Sequence, residues 1–173
     1  CSFEAAGILG IYVLMNVLYS YYLRHMAILD VTVIALGFVL RLYVGAAVSE
    51  ITLSMWIIVI TFLLALFMAL AKRRDDVLLF LDTGRKHRKV IDGYNIKFLD
   101  GAMTIMASVV IVAYILYTTS SYAMQKMHSS HLYITAIFVI LGILRYLQIS
   151  LVENNGSSPT QIILKDRFIE VTI

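Results

Sequence analysis

A chain of 173 residues that is 61% hydrophobic and 14% charged, with a mean hydropathy of +0.87, falls outside the soluble globular class, whose helices pair an apolar stripe with a polar face. One cysteine, Cys1, excludes an intrachain disulfide and a cysteine-based metal cluster. The net charge of +3 gains meaning only when mapped onto membrane topology, and no nucleic-acid partner is expected.

Five apolar stretches, approximately 5–23, 31–49, 51–71, 101–125 and 131–152, fit the roughly 17–25 residues that a membrane-crossing helix needs. They predict an all-α fold, a multi-span transmembrane helical bundle forming a single integral membrane domain over 1–173, with about five spans. The chain opens on Cys1 rather than Met; truncation is the expectation, since no lipobox supports a lipidated or signal-peptide terminus. The first span closes on Tyr19, Tyr21 and Tyr22 and is followed by Arg24 and His25. The second carries Arg41 at its middle and turns at Glu50. The third runs directly into Lys72-Arg73-Arg74-Asp75-Asp76. A loop over 72–100 leads to the fourth span, residues 126–130 join it to the fifth, and Arg145 lies in the second half of that last span.

Alternating the loops across the bilayer puts eleven Lys and Arg on one side: Arg24, the eight of the 72–100 loop, Lys165 and Arg167. Lys126 stands alone on the other. By the positive-inside rule the basic side, with loop 72–100, is cytoplasmic. Asn155-Gly156-Ser157 matches a glycosylation sequon, but on that side the match is fortuitous. His128 and His131 are spaced i, i+3 with no third ligand near them, and the eight methionines are scattered as packing residues. Pro159, the only proline, lies outside the spans, so no broken-helix transporter signature is present.

Chemistry concentrates at the end of the third span. At helical spacing Lys72, Asp75 and Asp76 share a face. Two carboxylates beside three cations at a membrane surface suit a magnesium-bridged phosphate, because acids bind a hard cation through oxygen and cations neutralise phosphate. A plain stop-transfer anchor accounts for the cations alone; it does not require the acids. The basic run Arg85-Lys86-His87-Arg88-Lys89 suits anionic lipid heads. Val90, Ile91, Tyr94 and Phe98 then form one side of an amphipathic segment that could lie over a pocket or serve as a surface linker. Arginine at a bilayer centre costs about 2.5–3.5 kcal/mol on insertion scales, so Arg41 and Arg145 either face a wet interior or snorkel to an interface. Asp30 is too far along the helix to pair with Arg41, at about 16 Å for 1.5 Å per residue. Arg41 therefore needs a counter-charge from elsewhere, such as a lipid phosphate.

These features resemble the UbiA superfamily of membrane prenyltransferases. Several stretches are similar to its decaprenyl-phosphate phosphoribosyltransferase branch: Tyr19-Ser20 to Leu23-Arg24-His25, Leu29-Asp30-Val31 to Gly37-Phe38-Val39-Leu40-Arg41, Phe67 to Ala71-Lys72-Arg73-Arg74, Arg88-Lys89-Val90 with Tyr94, Ile143-Leu144-Arg145-Tyr146, and Leu164-Lys165-Asp166-Arg167. The resemblance covers nearly the whole chain. It implies a bundle of about nine spans around a cavity open to the cytoplasm, in a bacterial inner membrane and serving cell-envelope synthesis. The implied enzyme is a transferase that moves a phosphoribosyl group from 5-phosphoribosyl diphosphate to a polyprenyl phosphate, with Mg2+ as cofactor. Asp75 and Asp76 match its second acidic motif, as catalytic residues and metal ligands. Lys72, Arg73, Arg74, Arg24, Arg41, Lys89, Tyr94 and Arg145 are the implied substrate contacts. Lys72 stands where most superfamily members carry an acid, which disfavours the alternative of prenyl transfer from a prenyl diphosphate to an aromatic or haem acceptor. A second alternative, a transporter or non-catalytic membrane protein, predicts repeats or interrupted helices that are not seen. The first acidic motif and a last span are absent from 1–173, so the expectation is a fragment inactive by itself.

Overall fold

A computed structural model describes residues 3–83, 93–127, 131–152 and 166–172. Among these the secondary structure is helical throughout, with seven α-helices: α1 Phe3–Tyr21, α2 Leu29–Ser49, α3 Met55–Thr83, α4 Ile96–Thr118, α5 Ser121–Met127, α6 Thr135–Leu151 and α7 Arg167–Thr172. Helices α2, α3 and α4, and the segment Leu132–Leu151 that contains α6, are long and apolar enough to cross a membrane; α1 supplies a shorter apolar stretch, Ala6–Tyr21. The chain is an all-α membrane bundle, as its composition predicts.

Neighbours in sequence are neighbours in space. α1 packs on α2, α2 on α3, α3 on α4, α4 on α6, and α6 on α7. The buried core lies where these helices converge, in Val31, Phe67, Leu70, Leu99, Met103 and Tyr146 among others. Many large apolar side chains face outward instead, such as Leu14, Val48, Ile105 and Leu144. That is the pattern of a bundle solvated by hydrocarbon, where exposing leucine carries no penalty.

Three boundaries differ most from those expected. α3 does not stop at 71 but runs on to Thr83, so the first part of the 72–100 loop is helix. Its charges support this extension: Arg73 pairs with Asp76 at i, i+3 and Lys72 with Asp76 at i, i+4. α4 starts at Ile96, earlier than 101, because the Asn95 side chain accepts a hydrogen bond from the Phe98 N–H at 2.7 Å and caps the helix. It also ends at Thr118; Thr119 and Ser120 bond back to Ile115 and Tyr117, and the short α5 follows. Tyr94 and Phe98 do come together, with stacked rings 6.1 Å apart, but Phe98 belongs to the first turn of α4. Val90 and Ile91 lie outside the described residues, as does His128.

Candidate functional site

The charged contacts between helices gather at one end of the bundle, where α3 leaves its apolar stretch. Arg73 is 2% exposed and Asp30 fully buried. The Arg73 Nε donates to Asp30 Oδ2, joining α3 to the first turn of α2, and its Nη1 donates to Asp76 Oδ2. Arg74, also buried, donates from Nε to Asp100 Oδ1 at 2.6 Å and joins α3 to α4. Both arginines are thus interhelical ties. A guanidinium taken out of water needs such a carboxylate, or the charge is left buried and uncompensated.

Tyr94 has a similar structural task. Its hydroxyl donates to Asp30 Oδ1 at 2.6 Å and accepts from the Ile28 N–H at 2.7 Å. Burial and the hydrogen bond to Asp30 push the phenol above its ordinary pKa. Ile28 has φ 70, a left-handed backbone that a β-branched residue adopts only under tertiary constraint. Gly93 lies close against the same turn, since a Cβ there would lie 2.8 Å from the Ala27 Cβ. The chain just before α4 therefore clamps the turn before α2, and the clamp fixes Asp30.

Asp75 and Asp76 sit side by side in sequence but look in different directions. Asp76 faces the α2 side through Arg73, with its Oδ1 3.9 Å from the half-exposed Lys72 ammonium. Asp75 is 8% exposed, and its Oδ2 is buried with no hydrogen-bond partner among the described residues. It lies within electrostatic range of Lys72, Arg74 and the Tyr146 hydroxyl. Asp76 is thus engaged by a cation at each oxygen, whereas Asp75 accepts no hydrogen bond at its buried Oδ2.

Beside this cluster, within the bundle, is a cavity of about 690 Å³ between α3, α4 and α6. Its walls are hydrocarbon and aromatic, including Leu64, Met68, Val110, Phe138 and Ile143, and Tyr146 and Phe67 also line it. These two rings meet edge to face at 5.3 Å, so Tyr146 connects the apolar chamber to the surroundings of Asp75. Ile169 of α7 adds to the lining.

The remaining predicted site residues lie apart from the acids. Arg145 donates from Nη2 to Asp166 Oδ2 at 2.7 Å and from Nη1 to Gln148. The other Asp166 oxygen accepts the Phe168 and Ile169 N–H groups at the start of α7, so Arg145 holds the helix that partly lines the cavity. Arg41 finds no carboxylate among the described residues. It donates to the Tyr12 hydroxyl at 2.8 Å from Nη2 and lies over the Tyr12 and Phe38 rings, on an exposed face of α1 and α2. Arg24 is exposed in the turn after α1 and donates to His25. Lys89 lies outside the described residues. Asp30, Asp100 and Asp166, which hold three of the predicted arginines, were not among the predicted site residues. The available signal was the general one that a charge inside an apolar span needs a partner.

No family model matches the chain. It is similar along 96% of its length to curated proteins named decaprenyl-phosphate phosphoribosyltransferase. Identity is 28% over 172 residues with the protein of Mycolicibacterium smegmatis, covering 54% of that protein. It is 28% over 166 residues with that of Corynebacterium glutamicum, covering 50%, and 26% over 166 residues with that of Mycobacterium tuberculosis, covering 54%. The chain spans about half the length of the curated relatives it matches. The resemblance carried by the motifs is borne out along nearly the whole chain.

Proposed function

We propose that this chain is part of a membrane transferase that moves the phosphoribosyl group of 5-phosphoribosyl diphosphate onto a polyprenyl phosphate. One observation carries the proposal: a cationic helix end bearing an acid with an unpartnered buried oxygen, Asp75, adjoins a hydrocarbon-lined chamber. A soluble polyanion and a lipid need such neighbouring environments to meet. The activity named for the similar proteins favours this substrate pair over a prenyl diphosphate with an aromatic acceptor.

In the proposed reaction an oxygen of the lipid phosphate bonds to ribose C1 as the bond from C1 to the diphosphate oxygen breaks, and diphosphate leaves with that electron pair. The protein's work is positioning and charge neutralisation. Lys72, with its side chain 49% exposed, is the cation of the cluster best placed to meet phosphate oxygens. Arg73 and Arg74 act through the acids they hold. Magnesium is commonly held by one or two carboxylates together with waters and substrate phosphates, and it would neutralise charge on the diphosphate. The acids as they stand do not form a shared site for it, because Asp76 meets Arg73 at one oxygen and Lys72 at the other while Asp75 keeps its buried oxygen on a different side. The apolar chamber suits part of the polyprenyl chain. We place the charged end in the cytoplasm of a bacterial inner membrane, where the soluble donor is found.

The test is an assay of the full-length protein in membranes with radiolabelled phosphoribosyl diphosphate and polyprenyl phosphate. Organic-extractable label that requires the lipid phosphate is the expected result. Label reaching an aromatic acceptor from prenyl diphosphate, with none moving from the ribosyl donor, would overturn the proposal.

A further inference from the structure

We propose that Tyr146 and Asp75 together hold a hydroxyl of the ribosyl group, Tyr146 donating to it and Asp75 accepting from it, and so make the site selective for a ribosyl donor. This rests on the phosphoribosyl transfer proposed above.

Two polar groups stand near each other inside the bundle without partners. Tyr146 is 4% exposed, yet its hydroxyl makes no hydrogen bond among the described residues. Asp75 Oδ2, sealed from solvent, makes none either. The two lie within electrostatic range of each other and still do not bond, which leaves a gap between a donor and an acceptor. A buried tyrosine hydroxyl ordinarily finds a partner, and a buried acceptor left without one bears its full desolvation penalty. Joining the helices does not require that penalty, because Arg73 already ties α3 to α2 and Arg74 ties α3 to α4.

The pair prescribes its ligand. A group between them must accept from the phenol and donate to the carboxylate. Ionised phosphate oxygens only accept, and a hydrocarbon chain does neither. Of the two proposed substrates, the ribose hydroxyls do both. Their place agrees with the reaction. Ribose C1 passes from diphosphate to lipid phosphate, so the sugar lies between the cationic helix end and the apolar chamber. Tyr146 spans that boundary: its ring lines the chamber and packs edge to face on Phe67, while its hydroxyl neighbours Asp75 and Arg74. The half-exposed Lys72 beside Asp75 has a flexible stem that can swing aside to admit a sugar ring.

The experiment measures binding of radiolabelled phosphoribosyl diphosphate to the full-length protein in nanodiscs, by equilibrium dialysis with Mg2+ present. Its 2-deoxy-2-fluoro and 3-deoxy analogues, each unable to donate at one carbon, are measured beside it. The unmodified protein should bind one analogue about 10-fold or more weakly, the scale for leaving buried polar groups without partners. Tyr146→Phe removes an oxygen that bonds to none of the described residues. It should weaken the parent donor by a similar factor and leave that analogue unchanged, so that discrimination collapses. Asp75→Leu, of about the same size but with no acceptor, should collapse it likewise. Should either variant fail to fold, the comparison of analogues on the unmodified protein decides by itself. Equal affinity for all three compounds, as expected where a resident water alone bridges the pair, would overturn the proposal. So would discrimination that survives in either variant, or equal losses of parent and analogue in Tyr146→Phe, the mark of a hydroxyl that meets phosphate or only supports the fold. Binding with the expected pattern but no transfer to lipid phosphate would overturn the reaction and leave this contact standing; a protein that does not bind the donor overturns both.

Discussion

Successive residues on an α-helix point about 100° apart, at 3.6 residues per turn, and Asp75 and Asp76 use that divergence. One acid is drawn toward α2 by Arg73; the other keeps a buried oxygen near Tyr146. Changing both to Asn preserves size and removes both charges, so turnover of the lipid product should be abolished while membrane insertion persists. Retained turnover at saturating magnesium would reduce the pair to a topology signal. Asp30 belongs to the same scale but predicts a different loss. Asp30→Ala leaves Arg73 buried with a single partner and Tyr94 without its acceptor. Its cost should approach the 3–5 kcal/mol or so that follows from breaking a buried ion pair, read as a lowered unfolding midpoint in detergent.

Two connections between elements decide whether this end of the bundle holds its shape. The first is the approach of Gly93 to Ala27, with 2.8 Å available to a new Cβ. Gly93→Ala should push the chain before α4 away from the turn before α2, loosening the Tyr94 hydrogen bonds. Overpacking of this kind typically costs about 1–3 kcal/mol, which a thermal-unfolding series would detect. The second is the link from α6 to α7. The Arg145 hydrogen bond, helped by the Ile169 and Phe168 N–H groups, holds the Asp166 carboxyl below its ordinary pKa. A depressed carboxyl contributes stability that is present above its unfolded value and lost as pH falls through the folded one. Docking of α7 should therefore be intact at neutral pH and loosen below about pH 4, the ordinary aspartate value. Spin labels at the exposed positions 144 and 168 should show a distance distribution that broadens on acidification. With Asp166→Asn the distribution should be broad at every pH.

For the molecule as a whole, the spans were legible because a bilayer demands contiguous apolar length, a property that sequence displays directly. Their ends were less so: hydropathy continues through Tyr122, Ala123 and Met124, whereas the backbone breaks at Thr119 and Ser120. The cation-and-acid cluster at Lys72–Asp76 was legible for the same reason as the spans, since charge is conspicuous beside hydrocarbon. Its wiring was not. Arg73 reaches an acid 43 positions away and Arg74 one 26 positions away, and such choices are made by helix packing rather than by local pattern. Packing in turn places Asp30, Asp100 and Asp166 at the same end as the basic residues, so that end is rich in both signs while Lys126 lies beyond the other end of α4. An asymmetry of cations is what fixes orientation during insertion, and the balancing acids do not cancel it because acids contribute little to that rule. Single cysteines at positions 97 and 126, in a Cys1→Ser background, put the orientation to the test with an impermeant maleimide. Position 126 should be labelled on intact cells and position 97 only after permeabilisation; the reverse pattern would place the charged end outside the cell, away from any cytoplasmic phosphoribosyl donor.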